Sequence, residues 1–91
     1  MYLLRSTSQF DRRFRRFGRA HPELKQSLAQ VFHDLGADPF MPPLRLHSLA
    51  GELRGLHAVS LSYAYRIVLT ISRSEQEILL LDIGTYDEVY R

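Results

Sequence analysis

Cysteine is absent from this sequence, and long apolar runs are absent as well. Without cysteine the chain can form neither disulfide bonds nor thiolate metal sites, which is compatible with a cytoplasmic location. No segment approaches the roughly 20 consecutive apolar residues that cross a membrane. The first ten residues, MYLLRSTSQF, also lack the pattern of a signal peptide. We therefore expect a cytoplasmic protein with no membrane segment.

Lysine is nearly absent too. Lys25 is the one lysine, so eleven of the twelve basic residues are arginine. Arginine binds phosphate or carboxylate through two parallel hydrogen bonds better than lysine does. Residues 1–25 hold seven of the basic residues against Asp11 and Glu23. This basic segment either binds a nucleic acid or an acidic protein, or forms a solvated helix face.

The chain is long enough for one folded domain. Its 91 residues are 45% hydrophobic, which supports one modest core and argues against disorder. We see no linker and no internal repeat, so we expect residues 1–91 to form a single domain.

Two helices are predicted in the first half of the chain. Ser8 resembles an N-cap with Asp11 in the capping-box position, and Phe10, Phe14 and Phe17 then follow at helical spacing. We interpret this aromatic stripe as core. Gly18 should interrupt the first helix. A second helix should run from about Pro22 to Leu35, with Gly36 as its stop, and pair with the first as a hairpin.

Strands are predicted around this hairpin. The segments are Tyr2–Leu4, Leu56–Ser62, Tyr65–Ile71 and Glu77–Ile83, the last of which reads as a strand buried on both faces. The order β-α-α-β-β-β predicts an α+β fold, a helical hairpin packed on a small, mainly antiparallel sheet. After Gly84, the cluster from Thr85 to Tyr90 is either part of a site or a frayed tail.

Four pieces of the sequence together resemble the RelE/ParE toxin superfamily of bacterial type II toxin–antitoxin systems. They are the basic hairpin, the leader Leu44-Arg45-Leu46-His47-Ser48-Leu49 with Gly51 and Gly55, the strand Tyr65-Arg66-Ile67-Val68, and Ile83-Gly84-Thr85-Tyr86-Asp87-Glu88-Val89-Tyr90. The pieces are most similar to the RelE/YafQ-like branch, whose members are mRNA interferases.

The resemblance implies a RelE-like fold and a ribosome-dependent mRNA endonuclease toxin, of the kind found in plasmid-stabilisation systems. The ribose 2′-hydroxyl would attack the adjacent phosphate, and neither a metal nor a cofactor would be required. The implied partners are a cognate antitoxin, in a possible hetero-oligomer, and the ribosome with its mRNA. Two alternatives stay open: a non-enzymatic, gyrase-inhibiting toxin of the ParE type, and a catalytically degenerate member that only binds its antitoxin.

The same resemblance implies the site residues. Arg66 matches the family's strand arginine and would stabilise the phosphorane, unless it pairs with Asp82 or Glu77 across the sheet. His47 matches the leader histidine, and Tyr90 a C-terminal aromatic position involved in proton transfer or stacking. Tyr86 stands where relatives often carry histidine. A phenol is a poor base near pH 7, but it can donate a proton or stack.

Five further arginines are expected to contact RNA phosphates, namely Arg12, Arg13, Arg16, Arg45 and Arg54. The sequence also departs from the family. Ser60, Ala64 and Ala58 stand where YafQ-like relatives carry a histidine and an aspartate or RelE carries lysines, and His57 is displaced from the pattern. The catalytic set is therefore incomplete by comparison with those relatives.

Overall fold

The computed structural model describes residues 1–90, in which two helices pack against one mixed sheet. The strands are β1 (Leu3–Ser6), β2 (His47–Ser48), β3 (His57–Ser60), β4 (Tyr65–Ser72) and β5 (Glu77–Thr85). The helices are α1 (Ser8–Ala20), α2 (Lys25–Ala37) and the single turn α3 (Tyr86–Val89). Across residues 1–90 the sheet has five strands in the order β1-β5-β4-β3-β2. Only β1 with β5 is parallel, so the predicted α+β, mainly antiparallel fold is confirmed.

The hairpin is confirmed, but its boundaries differ from the prediction. The N-cap of α1 is Thr7, whose hydroxyl oxygen accepts from the Phe10 N–H at 3.1 Å. Asp11 instead accepts from the Ser6 hydroxyl at 2.6 Å, so the predicted Ser8 cap is wrong by one residue. The predicted break at Gly18 is also wrong, because α1 continues to Ala20. A glycine inside a helix costs only about 1 kcal/mol, which tertiary packing easily offsets.

The second helix is likewise shifted along the chain. Pro22–Leu24 forms a separate 3₁₀ turn, and α2 begins at Lys25. Gly36 does not end it, because α2 extends to Ala37. The Gly36 carbonyl accepts from the Tyr2 N–H at 2.7 Å, so a hydrogen bond joins the end of α2 to the residue before β1.

The core lies between the hairpin and one face of the sheet. Phe10 and Phe17 are buried in it, with Leu35, Ile67 and Leu69, as the predicted aromatic stripe requires. Phe14 is only half-buried. It stacks on Phe10 at 5.7 Å between ring centres and extends the stripe toward α2. Phe10 and Phe17 are therefore core residues, and Phe14 between them is half-buried against the core.

Strand β5 alternates between buried and half-buried residues. Ile78, Leu80 and Ile83 are buried, whereas Leu79 and Leu81 are half-buried. The predicted burial on both faces is therefore wrong, because the helical hairpin covers one face and α3 reaches only the end of the other. The residues after Gly84 form α3 with Val89 buried, so they are not a frayed tail. Strand β2, with two residues, was too short for the sequence to predict.

The open edge of β5 is closed by side chains. β1 pairs only with Glu77–Leu80, which leaves the rest of that edge without a strand neighbour. The Ile83 N–H donates to Asp82 Oδ1 at 2.8 Å, and the Thr85 N–H donates to Glu88 Oε1 at the same distance. Carboxylates that satisfy edge amides discourage pairing with a foreign strand.

No helix among the described residues combines the length and the apolar character needed to cross a bilayer.

Truncation of the aromatic stripe should distinguish its buried and half-buried rings. Phe10 is 3% exposed, so Phe10→Ala should lower the free energy of unfolding by about 3–5 kcal/mol. Phe14→Ala should cost less, because a half-buried ring leaves a smaller cavity. Urea denaturation followed by circular dichroism measures both. An equal or larger loss for Phe14→Ala would contradict this placement.

Candidate functional site

Arg66 enters the site from the middle of the sheet. It lies on β4 directly opposite Ser60 of β3 and Gly84 of β5. Its Nη1 donates to Ser60 Oγ at 3.0 Å. Its Nε is buried and, within residues 1–90, has no hydrogen-bond partner. The guanidinium is thus held by a neutral hydroxyl.

The carboxylates that could have paired with Arg66 pair with other arginines. Asp82 accepts from Arg13 at 3.0 Å, and Glu77 lies 3.0 Å from Nε of Arg5. The alternative of a structural ion pair from Arg66 to Asp82 or Glu77 is therefore wrong. Arg66 keeps its charge available to the groove in front of it.

His47 and Tyr90 form a hydrogen-bonded pair beside Arg66. The His47 Nδ1 is 3.0 Å from the Arg45 carbonyl oxygen, and the Nε2 is 3.2 Å from the Tyr90 hydroxyl. A carbonyl can only accept, so the Nδ1 carries the proton. In a neutral ring the Nε2 then accepts from the Tyr90 O–H. Arg45 has a left-handed backbone (φ 54°), which is uncommon for a residue with a side chain.

Tyr86 links this pair to Arg66. Its ring meets the Tyr90 ring edge-to-face at 4.2 Å between centres, and the Arg66 Cζ lies 5.9 Å from its centre. The Tyr86 side chain is 59% exposed, so one ring face remains open to a ligand. Tyr86 begins α3 and Tyr90 is its C-cap residue, four positions later, so both side chains reach the same side of the sheet.

A capping box holds α3 at the end of β5. The Thr85 hydroxyl accepts from the Glu88 N–H at 3.2 Å, while the Glu88 carboxylate accepts from the Thr85 N–H. The carboxylate passes directly over Gly84. A Cβ at that position would lie 2.9 Å from Glu88 Oε1 and 3.2 Å from Glu88 Cβ. A side chain at residue 84 would therefore require the Glu88 side chain to move, and glycine leaves the cap undisturbed.

Two open grooves meet at His47 and Tyr86. The first has a volume of about 830 Å³, and its lining includes Arg45, His47, Ser60, Ser62, Arg66 and Tyr86. The second, about 520 Å³, includes His47, Leu49, Glu52, Leu53, Tyr86 and Tyr90. The first groove carries two arginines and no acidic residue in its lining. It is therefore the better place for a phosphate.

The Tyr90 phenol holds its proton strongly. Burial raises its pKa above the ordinary value of 10.0, the Arg66 guanidinium opposes this rise, and Tyr86 adds to it. Tyr90 is therefore a protonated phenol at neutral pH. It can donate a proton but is not a base in its resting state.

The four predicted catalytic residues are brought together, whereas the predicted RNA-contacting arginines are spread over the surface. Arg45 lies in the first groove. Arg13 and Arg16 line a different groove of about 550 Å³ between α1 and β5. Arg12 is exposed on α1, and Arg54 is exposed beyond the 3₁₀ turn Gly51–Leu53.

Ser60 has a role that the sequence does not predict, because in the sequence it is only a departure from the family's pattern. Leu61 N–H donates to the Tyr65 carbonyl at 3.0 Å, which closes the β3–β4 turn and fixes the pairing of Ser60 with Arg66. The short spacing between the strands was a usable signal for that register. By strand alternation His57 projects to the opposite face from Ser60.

No group of three or more His, Asp or Glu side chains in residues 1–90 is arranged to hold a metal ion.

The ionisation of Tyr90 can be measured directly. The wild-type minus Tyr90→Phe difference in absorbance near 295 nm should titrate with a midpoint above pH 10, because burial disfavours the phenolate. Tyr63→Phe, at a fully exposed phenol, is the matched control for the loss of one tyrosine. A Tyr90 midpoint at or below 10 would mean that attraction to Arg66 outweighs burial.

Comparison with known proteins points to one fold. The sequence matches no protein-family model and no curated protein. A metal-bound toxin from Helicobacter pylori superposes with a TM-score of 0.81 at 22% identity, over 99% of this chain and all of that one. YafQ from E. coli strain BL21(DE3) gives 0.81 at 11% identity over the whole of both chains. A chain of the E. coli DinJ–YafQ toxin–antitoxin complex gives 0.78 at 11%, covering 99% of this chain and 98% of that one. These neighbours are RelE/ParE-superfamily toxins, and the chain has their fold.

Proposed function

We propose that this protein is the toxin of a type II toxin–antitoxin system and that it cuts mRNA on the ribosome. The observation that carries the proposal is the convergence of His47, Arg66 and Tyr86 on one open groove, with the Tyr90 hydroxyl hydrogen-bonded to His47 beside it. These residues come from three separate parts of the sequence. The likeness in fold to YafQ supports the toxin role.

The proposed reaction is an attack of the ribose 2′-hydroxyl on the adjacent phosphorus. The His47 Nε2 first exchanges its hydrogen bond from the Tyr90 O–H for one from the 2′-hydroxyl, and it then takes the 2′-hydroxyl proton as the new P–O bond forms. The bond from phosphorus to the 5′-oxygen breaks, and Tyr90 gives its proton to that leaving oxygen. The products are a 2′,3′-cyclic phosphate and a 5′-hydroxyl. A paired base and acid of this kind typically contribute about 10²–10⁴-fold.

The hydrogen bond between His47 and Tyr90 provides a way to reset the site. After one turnover His47 is an imidazolium and Tyr90 a phenolate, and their polar atoms are 3.2 Å apart in the resting geometry. Transfer of one proton from Nε2 to the phenolate oxygen restores both groups. The hydrogen bond from Nδ1 to the Arg45 carbonyl keeps the ring oriented during the transfer.

Arg66 would stabilise the negative charge of the phosphorane. Its guanidinium faces the groove without a carboxylate from Asp82 or Glu77, and it lies in the same lining as Arg45. The exposed face of Tyr86 offers a surface on which a base can stack, which is worth about 1–3 kcal/mol.

The remaining arginines would contact RNA outside the catalytic groove. Arg12 and Arg16 on α1, together with Arg54, are exposed and suited to ribosomal RNA phosphates. Arg13 is held by Asp82 at 3.0 Å, so it would have to exchange that partner for a phosphate.

An antitoxin partner fits the apolar groove on the helical hairpin. This groove of about 420 Å³ lies between the two helices, and its lining includes Phe14, Gly18, Lys25, Leu28, Ala29 and Phe32. Its surface is almost entirely apolar, with a lysine at its rim. An amphipathic antitoxin segment carrying acidic residues would cover it in a cytoplasmic hetero-oligomer.

Mapping of mRNA 5′ ends in cells within minutes of induction tests the nuclease proposal. The unchanged chain should produce new 5′ ends in translated regions. Arg66→Ala should reduce them by about 10²–10³-fold, because the charge stabilisation is lost. Arg73→Ala is the matched control. Arg73 directly follows β4, the strand that carries Arg66, but its Cζ packs over Phe40, 4.2 Å from the ring centre.

The control and the contrary outcomes are distinct. Arg66→Ala should keep the melting temperature and the antitoxin binding of the unchanged chain. Growth arrest with intact messages would favour a gyrase-inhibiting toxin of the ParE type. Absence of both arrest and cleavage would favour a degenerate member that only binds its antitoxin.

Substitution of Tyr86 tests its correspondence to the family's histidine. Tyr86→His should preserve or raise the cleavage rate, because an imidazole can both stack and exchange protons near pH 7. Tyr86→Ala should lower the rate, because the stacking surface is lost. Both variants are compared in the same 5′-end assay. A Tyr86→His variant as inactive as Tyr86→Ala would contradict the correspondence.

A further inference from the structure

Ser60 faces Arg66 across two neighbouring strands and contacts it. The two residues are direct partners in the β3–β4 register, and Arg66 Nη1 donates to Ser60 Oγ at 3.0 Å. Both side chains line the first groove, which also contains His47 and Tyr86. The contact therefore lies beside the groups proposed to act on the phosphate.

The rest of the guanidinium is weakly constrained. The Nε–H is buried and, in the part of the chain that the structure describes, donates to no hydrogen-bond acceptor. The Tyr86 ring is 5.9 Å from Cζ, at the outer limit of a cation–π contact. Asp82 and Glu77 are engaged by Arg13 and Arg5. The Ser60 hydroxyl is consequently the contact that sets the orientation of the Arg66 guanidinium.

A hydroxyl has an advantage over a carboxylate at this place. It accepts the Nη1 proton and fixes the plane of the guanidinium, but it brings no negative charge. A carboxylate would neutralise Arg66 and repel a phosphate. A charged partner is therefore unsuited to orienting this arginine for an anionic substrate.

We propose that Ser60 is a positioning residue, which orients the Arg66 guanidinium toward the scissile phosphate. The proposal rests on the proposed nuclease function and deepens it. Ser60 stands where relatives carry an ionisable group. It acts through Arg66 and does not itself exchange a proton with the RNA.

Single-turnover cleavage on purified ribosome complexes programmed with a short message tests the proposal. At saturating protein, Ser60→Ala should lower the rate by about 10- to 100-fold, because a misplaced charge stabilises the transition state poorly. Ser60→Thr keeps the hydroxyl and should recover most of the rate. Ser74→Ala, at an exposed serine in the turn between β4 and β5, should cut like the unchanged chain. All variants should share its melting temperature.

The coupling of Ser60 to Arg66 is tested in an Arg66→Lys background. Lysine lacks the planar fork, so adding Ser60→Ala there should change the remaining rate by no more than about twofold. If Ser60→Ala lowers the rate in the Arg66→Lys background by the same factor as in the unchanged chain, Ser60 acts independently of Arg66 and the proposal is overturned. A Ser60→Ala rate within about twofold of the unchanged chain would overturn it as well.

A readout that does not depend on cleavage separates this proposal from the proposed function. In arginine-labelled protein, nitrogen NMR follows rotation about the Arg66 Nε–Cζ bond, with Arg66→Lys assigning the signals. Ser60→Ala should accelerate this rotation and Ser60→Thr should not. If the unchanged chain leaves message intact, the nuclease function fails. Rotation unaffected by Ser60→Ala would overturn the positioning role whether or not the chain cuts.

Discussion

The absence of a side chain at Gly84 determines how β5 ends and where α3 begins. The Glu88 side chain occupies the space that a Cβ would fill, 2.9 Å from its Oε1, and from there it accepts from the Thr85 N–H. That cap starts α3 directly after the strand, with no loop between them. Tyr86 and Tyr90 are thereby placed over the sheet, and the Tyr90 hydroxyl reaches His47, 43 residues away in sequence.

The pairing of β4 with β3 and with β5 fixes the other half of the site. The register that puts Arg66 opposite Gly84 on one side also puts it opposite Ser60 on the other. A side chain at residue 84 would displace the Glu88 side chain and so disturb the cap of α3. The position of the arginine and the position of the tyrosines depend on the same pair of strands, which makes the geometry of the site a property of the sheet and not of a mobile loop.

Much of this fold could be read from the sequence, because its signals are local. The aromatic spacing on α1 and the β-branched run of β4 specify their elements, whereas Gly84 does not stop β5, which continues to Thr85. The predicted helix ends differ from the observed ones by one to three residues, since Thr7 and Ser8 are both suitable caps by type and tertiary contacts decide between them. Arg66, His47, Tyr86 and Tyr90 are site residues that the family resemblance implies. The contacts of Arg66 with Ser60 and of His47 with Tyr90 do not follow from local signals, because each joins separate elements of the fold.

The distribution of charge explains how a protonated phenol and a guanidinium held by a neutral hydroxyl can lie in one site. Asp82 and Glu77 satisfy Arg13 and Arg5, and Asp82 also binds an edge amide, so these carboxylates do not compete for Arg66. Arg66 lowers the pKa of Tyr90 while burial raises it, and burial prevails. A phosphate bound at Arg66 would offset the lowering and hold the proton on Tyr90 more firmly. The proton would then leave only when negative charge develops on an adjacent oxygen, which is the behaviour required of a general acid.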